Sequence, residues 1–208
     1  VSTRPEMTLA ERKRQLVANE LTEAALQLLA VKGFDAVTID EIVAAAGVSK
    51  RTFFRYFASK EDVVVQFLAD MGTGIRAELA ARPAEESPSV ALRHAVSVPL
   101  DACTDHADHA ERALRVVQLI LRTPALHARF LERRSQWSDD LAAELTHRLE
   151  RDPDTDLYPR LAAGMALCAF DATLRRWSDS DGAEDPGRLI ARAFAVVAPA
   201  LDAAGQST

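Results

Sequence analysis

The chain is predicted to be all-α, and three observations predict it. Its 208 residues include only eight Gly and nine Pro, against abundant Ala and Leu, a composition that favours helices over strands. Apolar residues recur at i, i+3, i+4 and i+7 along most of the chain, and no strand signal rises above noise. Gly-, Pro- and Asp-rich breaks divide this pattern into about nine helical segments. A hydrophobic content of 48% with 27% charge suits a packed globular chain, so disorder is not the default.

The first helix is expected from Leu9 to Val31, with Leu16, Leu21, Ala25, Leu28 and Leu29 as its apolar stripe and Gly33 ending it. Arg12-Lys13-Arg14 lies near its start, where positive charge opposes the helix dipole unless an anion is close. That cluster reads either as a solvated face or as one or two phosphate contacts. Before it, Val1 to Glu6 lacks the apolar run of a signal peptide and reads as a short mobile arm.

Thr38 and Glu41 form a capping-box pattern, with Val37 and Ile42 placed as a hydrophobic staple. Ile39, Ile42, Val43 and Ala46 then give one apolar helix face. Gly47 stands where a chain leaving a helix needs positive φ, and Ser49 can cap the next helix. On that helix Phe53 and Phe57 share the buried side, while Arg51 and Arg55 point away from them. Helix, short Gly turn and second helix make a helix-turn-helix, whose second helix enters the DNA major groove.

Ser59 opens a further helix that runs to about Leu79, with Val63, Val64, Phe67 and Leu68 inward. Arg82 to Pro88 reads as the clearest linker. Helices follow from about Ser89 to Ala102, Glu111 to Leu121, Ala125 to Leu149 and Tyr158 to Trp177. Thr123-Pro124, Asp152-Pro153-Asp154 and Ser178 to Gly182 are the breaks. Asp185-Pro186 starts the last helix, lined by Leu189, Ile190, Ala193, Phe194 and Val197. The last two helices are apolar over more of their circumference than a surface helix needs. The expected domains are residues 1–62, an arm with a three-helix DNA-binding domain, and 63–208, a larger helical domain.

A net charge of −6 argues against nucleic acid, but its distribution does not. Residues 1–62 carry nine basic and nine acidic side chains, and the remainder holds the whole −6. Between Ser49 and Lys60 there are four basic residues and no acidic one, and local potential decides phosphate attraction. Two cysteines, Cys103 and Cys168, make no disulfide framework and suit a reducing cytoplasm, the expected location. No run of about eighteen apolar residues predicts a membrane span. Cys103, His106 and His109 lie at short spacing with carboxylates, yet no second ligand pair follows, so no metal and no cofactor is expected. There is no G-x-S-x-G, Gly-rich phosphate loop or H-E-x-x-H, and the chain is not expected to be an enzyme.

The run from about Arg12 to Val63 resembles the N-terminal domain of TetR-family transcriptional regulators. Gly33-Phe34-Asp35-Ala36-Val37-Thr38, Ala46-Gly47-Val48-Ser49-Lys50 and Ser59-Lys60-Glu61-Asp62 carry that resemblance. It implies that Thr38 and Ser49 hold phosphate at helix starts and that Lys50, Thr52, Tyr56 and Lys60 grip the DNA backbone. Two residues depart from the family pattern: Arg51 replaces a common Gly, and Phe54 a common Tyr. Arg51 adds a side chain capable of a bidentate guanine contact, about 1–3 kcal/mol of discrimination. Phe54 loses a phenol that reaches phosphate and offers a ring to a thymine methyl. Arg55 reads either a base or a phosphate. The same resemblance implies a homodimer built through the last two helices.

Arg112 to Arg115, Leu119 to Leu126 and Arg133 to Trp137 resemble a TetR branch abundant in actinobacteria, whose members bind acyl-CoA-like ligands. Arg115, Arg122, Arg133 and Arg134 then become candidates to hold phosphate or carboxylate, or simply surface arginines. Leu119, Trp137 and Cys168 are further pocket candidates, with Asp171 and Arg175 as a helix ion pair or a pocket-lining pair. The expected function is a dimeric repressor, released from a palindromic operator by a small apolar or amphipathic effector. A transcriptional activator or ligand-independent DNA binder is one rival. A helical small-molecule-binding protein or enzyme without DNA function is the other.

Overall fold

Each helix of the N-terminal part begins on a capped turn. The computed structural model describes residues 8–101, 107–152 and 155–205, and among them are nine α-helices and no strand. The chain divides into two compact units, Val1–Phe67 and Leu68–Thr208.

The first unit contains α1 (Leu9–Lys32), α2 (Ile39–Ala45), α3 (Lys50–Tyr56) and the first turns of α4 (Lys60–Ala81). Thr38 Oγ1 accepts from the Glu41 backbone N–H at 3.3 Å, and Glu41 Oε2 accepts from the Thr38 N–H at 2.9 Å. Val37 and Ile42, the expected staple, are both buried. Past α2 the Val48 N–H reaches the Val43 carbonyl at 3.0 Å, a bond that Gly47 permits with φ +65°. Ser49 Oγ then accepts from the Thr52 N–H at 3.1 Å, and Ser59 Oγ from that of Asp62 at 3.1 Å. Leu21, Leu29, Ile42, Phe53, Val63 and Val64 form the core.

The apolar stripe expected on α1 needs correction. Leu16 is 61% exposed, whereas Leu21, Ala25, Leu26 and Leu29 are buried. At about 100° per residue Leu16 sits roughly 140° round the helix from Leu21, so it cannot share that face. The start of α1 also has a capping box, with Thr8 and Glu11 bonded reciprocally. Glu11 supplies the anion that offsets Arg12-Lys13-Arg14 at the positive end of the dipole.

The second unit holds the rest of α4 with α5 (Pro88–Asp101), α6 (Ala107–Arg122), α7 (Pro124–Arg148), α8 (Tyr158–Asp179) and α9 (Pro186–Gly205). Helix α8 is its axis, packing against α5, α6, α7 and α9 and burying twelve of its residues. Tyr158 Oη donates to the Leu201 carbonyl at 2.7 Å, and burial beside Asp202 pushes its phenol up to about 12. Ser89 donates through both N–H and Oγ to the Asp202 carboxylate, tying α5 to α9.

The stretch read as a linker, Arg82 to Pro88, is an ordered turn. Arg82 pairs with Glu78 and Glu86, and the Arg148 guanidinium donates to the carbonyls of Arg82, Pro83 and Glu86. Pro, Glu and Ser composition signals a break in helix. The guanidinium contributed from α7, more than sixty residues on, binds three carbonyls of that break. The arm Val1–Glu6, the Cys103–His106 part of the weighed metal cluster, and Pro153-Asp154 lie outside the described residues. Among the described residues no group of three His, Cys, Asp or Glu is placed to hold a metal. Nor is any described helix long and apolar enough to cross a membrane.

Candidate functional site

Helix α3 is seven residues long, far too short to persist alone, so its outer face is set by what it buries. Phe53 is fully buried and meets Phe57 at 5.6 Å between ring centroids. Phe54 stands edge-on to Phe53 at 5.5 Å with its own ring 55% exposed. With Phe53 locked inward, Lys50, Arg51, Phe54 and Arg55 are all exposed on one short helix.

The exposed cations differ in what already holds them. Lys50 Nζ pairs with Asp40 Oδ1 of α2 at 2.7 Å, an exposed bridge of about 0–1 kcal/mol that a phosphate can displace. The Arg55 guanidinium lies over the Tyr56 ring, 5.0 Å from its centroid, and donates to Tyr56 Oη at 3.3 Å. Arg51 makes no hydrogen bond or ion pair among the described residues, and its fork is therefore available to an outside acceptor. Thr52 and Ser49 share a hydroxyl contact at 3.0 Å beside the start of α3, and Thr38 stands at the start of α2.

Lys60 is placed otherwise. Its Nζ donates to the Phe34 and Val37 carbonyls at 2.6 and 3.0 Å and sits 4.5 Å from the Phe34 ring centroid. It closes the loop between α1 and α2, a role its position in the sequence did not signal. Lys60→Met should therefore lower the stability of the first unit by about 1.5–3 kcal/mol, the worth of hydrogen bonds to a charged group. Urea denaturation measures this; a change under 0.5 kcal/mol with a shallower salt dependence of DNA binding would instead make Lys60 a phosphate ligand.

Glu41 links the capping box to Lys32, whose Nζ it accepts at 2.7 Å. The Lys32 bond, then the Thr38 N–H and hydroxyl, hold its carboxyl down at about 2, against an ordinary 4.5. A depressed folded-state value contributes stability above about 4.5, and that contribution is lost as pH falls from there through about 2. Melting of the first unit should fall across that window, and Glu41→Gln should remove part of the pH dependence. Parallel melting-versus-pH curves for the two proteins would refute the assignment.

In the second unit the residues expected to line a pocket fall into two groups. Arg115 pairs with Glu111 on its own helix, and Arg122 Nη2 donates to the Ser178 carbonyl at 3.3 Å, with Leu119 half-buried between them on α6. Cys168, Asp171 and Arg175 line the seam of α7 and α8, while Trp137 of α7 lies against Gly72 of α4. The expected Asp171–Arg175 ion pair is corrected: Asp171 Oδ2 pairs with Arg134 Nε at 2.5 Å, and Arg175 Nη2 faces His127 Nε2 at 3.4 Å. Arg134 also reaches the exposed Cys168 Sγ at 3.4 Å. Burial pushes the Asp171 carboxyl up, against the pull of Arg134, Arg175 and His127.

His127, Phe130 and Arg134 complete this seam. His127 stacks on Phe130 at 6.4 Å, and Phe130 meets Trp137 edge-on at 5.9 Å. Their spacing on α7, at i, i+3, i+7 and i+10 with Trp137, was the signal that could have found them.

Comparison with known proteins places both units. Residues 21–67 match the model described as bacterial regulatory proteins, tetR family, and residues 86–202 the model described as MftR C-terminal domain. The HTH-type transcriptional regulator TcmR of Streptomyces glaucescens is 31% identical over 172 residues, 81% of this chain and 76% of that one. A Mycobacterium tuberculosis regulator named MftR is 29% identical over 97% of this chain and 100% of its own length. Among solved structures, FadR from Bacillus subtilis in complex with stearoyl-CoA aligns with a TM-score of 0.63 at 23% identity. That alignment covers 86% of this chain and 96% of the other, and it supports the fold.

Proposed function

The chain belongs to the TetR family of DNA-binding transcriptional regulators, and on that premise we propose that it acts in the cytoplasm as a dimeric repressor released by an apolar or amphipathic effector. The observation that carries the DNA half is Arg51, exposed and without a partner among the described residues, on a helix whose opposite face is pinned by Phe53. Arg51 and Arg55 read bases, Phe54 meets a thymine methyl, and Thr38, Ser49, Lys50, Thr52 and Tyr56 hold the backbone. Selection of bound DNA from genomic fragments tests this. A roughly palindromic site is the expected result, because twofold protein symmetry is mirrored in the DNA; DNA recovered without sequence preference would overturn it.

Apolar side chains left exposed on α8 and α9 support the dimer. Leu161, Cys168 and Ala172 follow one face of α8, and Ala191, Ala195 and Pro199 one face of α9, with Val196 79% exposed. Surface of this kind is ordinarily covered by a partner. The effector reading rests on α7, where Phe130 and Trp137 form an aromatic pair and Arg134 pairs with Asp171 of α8, and it takes an acyl-CoA as the ligand class. FadR of Bacillus subtilis, of the same fold, is described in complex with stearoyl-CoA. Such a ligand weakens DNA binding by preferring a conformation that the operator does not. Stabilisation in a thermal shift by long-chain acyl-CoA, together with its release of the selected DNA, is expected. Stabilisation by no acyl compound would remove this reading.

A further inference from the structure

Two unfavourable features meet at one contact in the second unit. Trp137 is 3% exposed, and its indole Nε1 makes no hydrogen bond among the described residues. Leaving a buried donor unpaired costs about 1–3 kcal/mol, and such groups in a native fold want a reason. The ring lies against Gly72 of α4, where a Cβ would stand 2.1 Å from Nε1 and 2.2 Å from Cδ1. A glycine inside a helix costs about 1 kcal/mol relative to alanine. Phenylalanine at 137 would leave no orphaned donor, although its single ring is smaller than the indole seated against Gly72. Packing against Gly72 accounts for the bulk of the ring but not for its unpaired donor.

The surroundings select what this donor takes. Phe130 covers the ring edge-on, and Arg134, one turn back on α7, is engaged with Asp171. With that cation already paired, a ligand carboxylate would be buried against a single neutral N–H, which does not offset its desolvation. A neutral carbonyl oxygen meets the donor without that penalty.

We propose that the Trp137 Nε1–H donates to a neutral carbonyl oxygen of the effector, the indole turning away from Gly72 to do so. For an acyl-CoA this oxygen is the thioester carbonyl. The assignment rests on the effector reading above and adds the group that distinguishes a carbonyl-bearing ligand from a plain alkyl chain.

The test uses the full chain and two probes, stearoyl-CoA and its thioether analogue S-octadecyl-CoA, which lacks only the carbonyl oxygen. The wild type should bind the thioester about two- to tenfold more tightly, the range of a net hydrogen bond, and Trp137→Phe should bring the two Kd values together. An undiminished preference in Trp137→Phe overturns the donor role and leaves the effector reading standing. If the wild type binds neither probe, the effector reading fails and the assignment falls with it. Should Trp137→Phe not fold by circular dichroism, the 15N-labelled indole resonance of the wild type decides. Trp177→Phe identifies which of the two signals is Trp137. That signal should move downfield with stearoyl-CoA and not with the thioether; an unmoved signal on binding overturns the assignment.

Discussion

Phe53→Ala should destabilise the DNA-reading unit by about 3–5 kcal/mol, the cost of emptying a fully buried aromatic site. Whole domains are stable by only about 5–15 kcal/mol, so a loss of this size leaves the unit largely unfolded on mild heating. Phe53 is the ring against which both Phe54 and Phe57 pack, and α3 has too few residues to survive without it. The neighbouring Phe54→Ala is the control. Its ring is more than half exposed, so its effect on stability should stay within about 0.5 kcal/mol. Urea denaturation of both variants, with hydrogen exchange across residues 39–57, measures the difference. Equal stability losses for the two would mean that Phe53 does not anchor the helix.

Arg51→Ala should leave stability unchanged and reduce affinity for the selected operator. A bidentate guanine contact is worth about 1–3 kcal/mol, so two subunits lose about 2–6 kcal/mol, a factor of about thirty to twenty thousand. The loss should fall on particular base pairs: sites altered at the contacted guanine should lose almost nothing further. Lys50→Ala, by contrast, should weaken binding evenly across sequences and lower the salt slope by about one for each subunit. Among the described residues Arg51 has no partner where Lys50 is held by Asp40, and that difference motivates the separate roles. An Arg51→Ala loss that is the same for every sequence would make Arg51 a phosphate contact.

The capped N-terminal helices were legible because their signals are local. Thr38 and Glu41, Gly47 and Ser49 act within three or four residues of themselves, and each does in the fold what its spacing implies. Thr8 and Glu11 have the same spacing and form the same reciprocal cap, directly ahead of the basic cluster Arg12-Lys13-Arg14. Leu16 is apolar but lies off the buried face of α1, because helix angle and not apolar character decides which side is covered. The second unit was less legible. Its arginines are many and alike in sequence, and only packing separates Arg134, which meets Asp171, from Arg115, which pairs along its own helix.

From the sequence alone came the all-helical class, the helix-turn-helix and the side of α3 that faces outward, since caps, turns and wheels are properties of neighbouring residues. The tertiary structure decided which polar groups are already engaged. It gave Lys60 to the Phe34 and Val37 carbonyls, fixed the Arg82–Pro88 turn through Arg148, and left the Trp137 indole N–H unpaired against Gly72. Those partners lie from about twenty to more than sixty residues away along the chain. Hydrogen bonding at that range depends on how helices pack, and a linear pattern does not encode it.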